Sequence, residues 1–337
     1  MSAPRAWTVR AGVPRLTAAP AIITATDAKG DTATVRVRFA GVCGSDVAKL
    51  CPTWRDPVPN PWFPGHEIVG VDAHTNRWVA VDPLVSCRIC DACAQGRVHL
   101  CQQLRRIGWD LPGGLAETVR VPTSALVPLP TLRDRAHGVL ADPMAVALHG
   151  VRCGLRVRPG RLGIVGAGPL GVCVAVCAGH AGWDVHLSVR SAERADALRQ
   201  HLSGLPVTVH HLVLPACDAV VDAASGHDDS PLRQAVASVR DGGIVLVLNA
   251  YAPRVTLTLP LRELFRRSVT VRGSFSYCRS GGPDDFRDAL ALLLRAGPWA
   301  DLLTSARFPV TDLPRALAAL RGPIEHRPHK VLLSITR

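Results

Sequence analysis

Residues 87–101 carry four cysteines, Cys87, Cys90, Cys93 and Cys101, separated by two, two and seven residues. A C-x-x-C turn brings two thiolates within reach of one ion, at about 2.3 Å per bond, so the run is shaped to wrap a tetrahedral zinc. Four sulfurs leave no position for water or substrate. Such an ion holds a loop and does no chemistry, so any fold for this chain must accommodate a compact metal-tied lobe. The competing reading, a disulfide cluster, belongs to secreted proteins, and nothing else in the chain points outside the cell.

The 337 residues suit two domains of ordinary size, and 47% apolar residues suffice to build their cores. No apolar run reaches the length of a membrane span, and the first residues lack the apolar core of a signal peptide. The expectation is a cytoplasmic protein with reduced thiols. Its formal charge of +12 is almost all arginine, because Lys29, Lys49 and Lys330 are the three lysines. The arginines are scattered, and two Tyr and six Phe offer little for base stacking. Neither nucleic acid nor membrane is expected as a partner. A small molecule is, and the charge helps attract an anionic cofactor.

Along the first 142 residues short apolar runs alternate with polar ones, most clearly at 33–39, 78–81 and 114–121, which predicts a β-rich domain. Pro, Trp and Asn crowd residues 52–63 into a loop. Beyond residue 142 the pattern changes. A helix is predicted at 143–153 and a short buried strand at 161–166. Further strands, at 184–189, 219–222, 243–248 and 269–273, alternate with helices, as in a parallel sheet with crossover connections. A helix at 284–296 and a strand at 330–335 close the chain. The domain plan is 1–142, 143–274 inserted, and 275–337 returning to the first.

Gly166-Ala167-Gly168-Pro169-Leu170-Gly171 matches G-x-G-x-x-G between a predicted strand and a helix at 172–181. The first glycine permits the tight turn, the second lets backbone approach a pyrophosphate, and the third lets helix pack on strand. About twenty residues on, an acidic residue would bind the ribose 2′-hydroxyl of NAD. Val189 or Arg190 stands there instead, with Ser188, Ser191 and Arg194 beside it. That setting suits a 2′-phosphate, so NADP is favoured over NAD.

Cys43, His66 and Glu67 form a second, mixed donor set, and three protein ligands with one open position describe a catalytic zinc. Asp142, before Pro143 at the domain junction, is a further candidate ligand; a capping residue for the helix behind it is the alternative. His99 and His149 are read as structural.

Together, Val42-Cys43-Gly44-Ser45-Asp46, Pro64-Gly65-His66-Glu67, the cysteine lobe, the run from Asp142 to His149, the glycine turn, and Arg272-Gly273-Ser274-Phe275-Ser276-Tyr277 resemble zinc-dependent medium-chain alcohol dehydrogenases. The sorbitol and threonine dehydrogenase branch is the most similar. The resemblance implies an α/β protein with a GroES-like β-rich catalytic domain (residues 1–142), a Rossmann domain, and a catalytic cleft between them. It implies two zinc ions per chain and a nicotinamide cofactor. Cys43 and His66 would carry the catalytic zinc, with Glu67 as ligand or neighbour. Asp46 would hydrogen-bond His66, and Ser45 would accept the substrate's hydroxyl proton. The expected reaction is hydride transfer between a secondary alcohol or ketone and NADP(H) or NAD(H), in a homodimer or homotetramer.

Four departures from the family pattern stand out. Asp142 replaces a Glu, Ala48 occupies the place of a proton-carrying His, the NAD-reading acid is missing, and the stretch between Gly70 and Trp78 is short. Trp54, Trp62 and Trp109 are candidates to stack on a substrate of polyol or amino-polyol type. Rival readings are a zinc-free reductase, an inactive dinucleotide-binding relative and a zinc-ribbon nucleic-acid binder.

Overall fold

The structure is a computed structural model that describes residues 3–19, 31–50, 57–224, 228–279 and 284–335. The amino-terminal part is built on strands. β1 (Arg5–Arg10) and β2 (Val13–Ala18) form a hairpin. β3 (Thr32–Val42) is longer than the expected 33–39 and runs directly into the short helix α1 (Gly44–Lys49). β4 (Glu67–Asp72) is buried at every position and pairs with β3 on one side and β5 (Trp78–Val81) on the other. The lobe follows β6 (Leu84–Val85), contains α2 (Asp91–Ala94), and precedes β7 (Arg105–Arg106). β8 (Thr118–Pro122) and β9 (Leu126–Pro128) complete this region.

Helix α3 (Ala141–His149) opens the second part, and one wider turn extends it over Gly150–Gly154. β10 (Arg161–Val165) then leads to α4 (Pro169–His180). The helix starts three residues before the expected 172, because Pro169 occupies its first turn, where no N–H is missed. Next come β11 (Asp184–Val189), α5 (Ala192–His201), β12 (Val207–His211) and β13 (Cys217–Asp222). α6 (Ser230–Ser238), β14 (Val239–Val247), α7 (Leu261–Arg267) and β15 (Thr270–Gly273) follow. The six strands are parallel in the order β12-β11-β10-β13-β14-β15. This is a doubly wound sheet that reverses direction between β10 and β13, and ligands bind at the carboxyl ends of strands at such a reversal.

The remainder divides. α8 (Asp285–Leu293) presents Phe286, Ala289, Leu290 and Leu293, spaced as one helical face, to the core that also holds α3, α4 and α9 (Pro298–Thr304). β16 (Ala306–Pro309), α10 (Leu313–Arg321) and β17 (Val331–Ser334) go elsewhere. β17 inserts between β16 and β3, giving a seven-stranded sheet ordered β16-β17-β3-β4-β5-β9, with β8 also on β3. Among the described residues no helix is long and apolar enough to cross a membrane.

β17 is buried on both faces. Val331 and Leu333 point into the core of the β-rich part, while Leu332 points into the core shared with α3 and the parallel sheet. Leu332→Ala and Leu333→Ala should therefore each cost about 2–5 kcal/mol, although the residues are adjacent and face opposite ways. Urea unfolding should show a lower midpoint with an unchanged slope in both.

Candidate active site

The four lobe cysteines converge. Sγ–Sγ separations are 3.5 Å for Cys90–Cys93, 3.5 Å for Cys87–Cys101 and 4.0 Å for Cys87–Cys93. Four sulfurs tetrahedrally disposed at the zinc bond length stand about 3.8 Å apart, so the spacing fits one ion and is far too long for disulfides. Backbone N–H groups of Ile89 and Cys90 point at the Cys87 sulfur and bring its pKa down to about 6, which favours the ligating thiolate. These N–H groups come from a turn in which Arg88 takes φ 65°.

The second set is assembled by β3 and β4. Cys43 follows β3 and caps α1, and its N–H donates to Asp46 Oδ2 at 3.1 Å. His66 immediately precedes β4 and Glu67 starts it; the strand lies antiparallel beside β3 with Gly41 opposite Glu67. One donor atom from each of Cys43, His66 and Glu67 lies within 4.8 Å of the others. Asp46, 1% exposed, turns Oδ1 toward His66 Nδ1 at 3.8 Å, an electrostatic approach longer than a hydrogen bond. Burial works to lower the pKa of His66, but Cys43 and Asp46 beside it win and lift it to about 10. A site that holds a proton so firmly on an imidazole is one whose charges call for a cation. Ser45 Oγ, Asp46 Oδ1 and His66 Nδ1 are buried and make no hydrogen bond among the described residues. Donor chemistry and unmade bonds alike fit a metal with a hydroxylic ligand.

Glu67 has a partner that the sequence reading passed over. Lys330 Nζ donates to both of its carboxylate oxygens, at 2.7 and 2.5 Å, with both residues buried. The carboxylate fits because residue 41 is glycine: a Cβ there would stand 1.9 Å from Glu67 Oε2. The one visible hint was compositional, a lone lysine heading an apolar strand in a chain of arginines. Asp142 lies inside the first turn of α3 rather than capping it. It is outside the Cys43–His66–Glu67 group; its Oδ1 accepts from the Tyr277 hydroxyl at 3.2 Å, which also donates to Asp82 Oδ1 at 3.0 Å. Burial raises the Asp142 pKa to about 6, against the pull of His66.

The glycine turn sits at the end of β10, on the reversal of the parallel sheet. Gly166 has φ 101°, and a Cβ would meet Ala224 Cα at 2.6 Å. At Gly171 a Cβ would stand 1.9 Å from Gly166 O, whereas Gly168 faces open space at the amino end of α4. Pro169 and Leu170 form the first turn of that helix. Arg190 is exposed just past β11. Arg194 is not free: its guanidinium donates to Arg327 O at 2.6 Å and contacts His329 Nδ1 at 2.8 Å. Burial and the neighbouring Arg327 and Arg190 lower its pKa, so three guanidinium groups crowd one end of β11.

Of the three tryptophans, Trp54 lies outside the described residues. Trp62 is not a stacking surface: it is 1% exposed, with its indole N–H on Gly108 O at 2.7 Å, because its backbone bridges to Val9 and draws the ring inward. Trp109 does reach the site, its ring centroid 6.4 Å from that of His66 and 3.1 Å below Lys49 Nζ. Ser274 Oγ, past the carboxyl end of β15, is a further buried polar atom without a hydrogen bond among the described residues.

Residues 29–131 match the alcohol dehydrogenase GroES-like domain. L-galactonate-5-dehydrogenase of Escherichia coli K12 is 27% identical over 83% of this chain and 85% of its own. D-altritol 5-dehydrogenase of Agrobacterium fabrum is 28% identical over 83% and 86%. Among solved structures, a candidate zinc-binding dehydrogenase from Sinorhizobium meliloti 1021 bound to NADP superposes with TM-score 0.82 at 25% identity, over 99% of this chain and 100% of its own.

Lys330→Met leaves Glu67 charged and unpaired in the sheet, and should cost about 3–5 kcal/mol; adding Glu67→Gln should recover much of it. The folded-state pKa of Lys330 is raised, with Glu67 outweighing burial. The pair's contribution is thus full below the ordinary lysine value of 10.5 and fades as pH climbs through the higher folded value. Urea unfolding between pH 7 and 11 should show wild type losing its advantage over Lys330→Met only at the alkaline end.

Proposed function

We propose that the chain is a zinc-type medium-chain alcohol dehydrogenase that transfers a hydride between a secondary hydroxyl of an acyclic polyol or sugar acid and NADP(H), with NAD(H) as the weaker alternative. The observation that carries this reading is the meeting of Cys43, His66 and Glu67 within 4.8 Å, beside a buried Ser45 hydroxyl that makes no hydrogen bond among the described residues. The L-galactonate and D-altritol enzymes, both named for a 5-position, support the substrate class.

Cys43 and His66 hold the catalytic zinc, and Glu67, steadied by Lys330, completes the set. Asp142 stands behind with Tyr277. The lobe cysteines hold a second zinc. When bound, zinc supplies a Lewis acid that eases loss of the substrate's hydroxyl proton, and the nicotinamide supplies the hydride acceptor. Asp46 orients the imidazole of His66 through its free oxygen. Ser45 receives the proton. Ala48 cannot carry it further, but Lys49 lies four residues beyond Ser45 on α1 and shares its face. Burial, opposed by Asp46, brings the pKa of Lys49 down to about 8, so its amine can exchange a proton near neutrality. Trp109 shelters this corner from water.

The pyrophosphate rests on the Gly166–Gly171 turn, where Gly168 leaves room and α4 offers its amino end. Arg190 would take the 2′-phosphate, whose charge would relieve the repulsion among Arg190, Arg194 and Arg327. A reducing, cytoplasmic setting keeps the ligating thiols available.

Protein purified without chelator should contain zinc at both proposed sites. Cys43→Ala should lose one of these ions and its oxidation of polyols with NADP⁺, and an unchanged zinc content by elemental analysis overturns the assignment. Arg190→Ala removes a charge-assisted bond and should raise KM for NADP⁺ about 10–100-fold while leaving that for NAD⁺ nearly unchanged. Equal effects on the two cofactors would count against the 2′-phosphate site.

A further inference from the structure

A third group of side chains able to ligate a metal shares no residue with either site. His99 belongs to the single turn Val98–Leu100, inside the loop between the third and fourth lobe cysteines. His149 ends α3, and Cys278 lies five residues past β15. One donor atom from each lies within 4.8 Å of the others. The three come from positions far apart in sequence, and the two histidines are 9% and 6% exposed.

The geometry has the marks of a ligand set. His99 Nδ1 is 3.3 Å from Cys278 Sγ. A nitrogen and a sulfur on one tetrahedral zinc stand about 3.5 Å apart, given bonds of about 2.0–2.1 and 2.3 Å. The His99 and His149 rings meet edge to face, with centroids 4.9 Å apart. Behind them Asp285, wholly buried, accepts from His149 Nδ1 at 2.9 Å and from the Cys278 backbone N–H at 3.0 Å. That bond commits Nδ1 of His149 and leaves Nε2 free to ligate, the arrangement by which carboxylates orient metal-binding imidazoles. The same carboxylate fixes the backbone that carries the thiol. Arg152 Nη1, 3.7 Å from the other oxygen of Asp285, balances its charge.

We propose that His99, His149 and Cys278 form a third transition-metal site of His₂Cys type, suited to zinc, that ties the cysteine lobe to the end of α3 and to the segment after β15. Two imidazoles and one thiolate suit a borderline ion such as Zn²⁺, and three protein ligands leave a fourth position for water. Binding displaces the thiol proton, so affinity rises with pH. His99 and His149, read from the sequence as structural, then act as ligands. The site takes no part in hydride transfer and stands or falls separately from the reading above.

The test is zinc per chain by elemental analysis, after equilibration with micromolar Zn²⁺ and dialysis into metal-free buffer at pH 8. Wild type, Cys278→Ser, His99→Gln, their double variant and Cys43→Ala are compared. Each of Cys278→Ser and His99→Gln should contain one zinc fewer than wild type, the double variant no fewer than either, and combination with Cys43→Ala should remove a separate ion. Circular dichroism checks folding, and the two single variants alter different elements, so one serves if the other does not fold. A wild-type zinc content in either folded single variant overturns the proposal. Loss confined to Cys43→Ala does the same while leaving the catalytic assignment intact.

Discussion

The buried ion pair between Lys330 and Glu67 joins residues 263 positions apart, and the arrangement of the β-rich part depends on it. A carboxylate and an ammonium taken out of water together are tolerated only with good geometry and full pairing. Here Lys330 meets both oxygens of Glu67, and Gly41 between β4 and β17 leaves the space in which they meet. The pair holds β17 in register against β3, and it holds the carboxylate adjacent to His66 at a fixed angle. One contact thus closes the sheet and sets the donor side of the candidate metal centre.

The two sheets solve different problems. The parallel sheet is covered by helices and offers its carboxyl edge, where a glycine turn permits backbone to approach phosphate. The antiparallel sheet brings side chains from separate strands to one end, where unlike donors can converge. Apolar side chains from both, including Val69 and Ala80 on one side and Leu162 and Ile164 on the other, share a single continuous core through α3. The two candidate sites therefore rest on a packed junction.

Features carried by local spacing were legible from residues alone. The convergence of the lobe cysteines is one, because its four sulfurs lie within fifteen residues. The glycine turn is another, because strand, turn and helix are consecutive. Cys43 and His66 could be paired by residue type and by resemblance to a family, since β3 and β4 are neighbours in sequence order as well as in space. Contacts across the fold were not legible. Nothing in the run before β17 names Glu67 as the partner of Lys330, and nothing near Asp142 names Tyr277, 135 residues on. Arg194 was read by its position after β11, yet its guanidinium is drawn to carbonyls of the 324–329 segment. Trp62 looked like a loop aromatic and is core, because backbone bridging decides which way its ring turns.

The position of β17 also orders events during synthesis. β3, β4, Cys43, His66 and Glu67 emerge early, but β17 and Lys330, which complete their sheet, come some 260 residues later. In between, the parallel sheet has every strand it needs and can fold on local crossover connections, whereas pairing across such a separation is slow and leaves strand edges exposed. The nascent chain thus has all strands of the parallel sheet while the carboxylate beside His66 still lacks its counter-charge. The counter-charge beside the candidate metal centre therefore waits until residue 330 has emerged, and the partly made sheet is the stage at which a chaperone has most to protect.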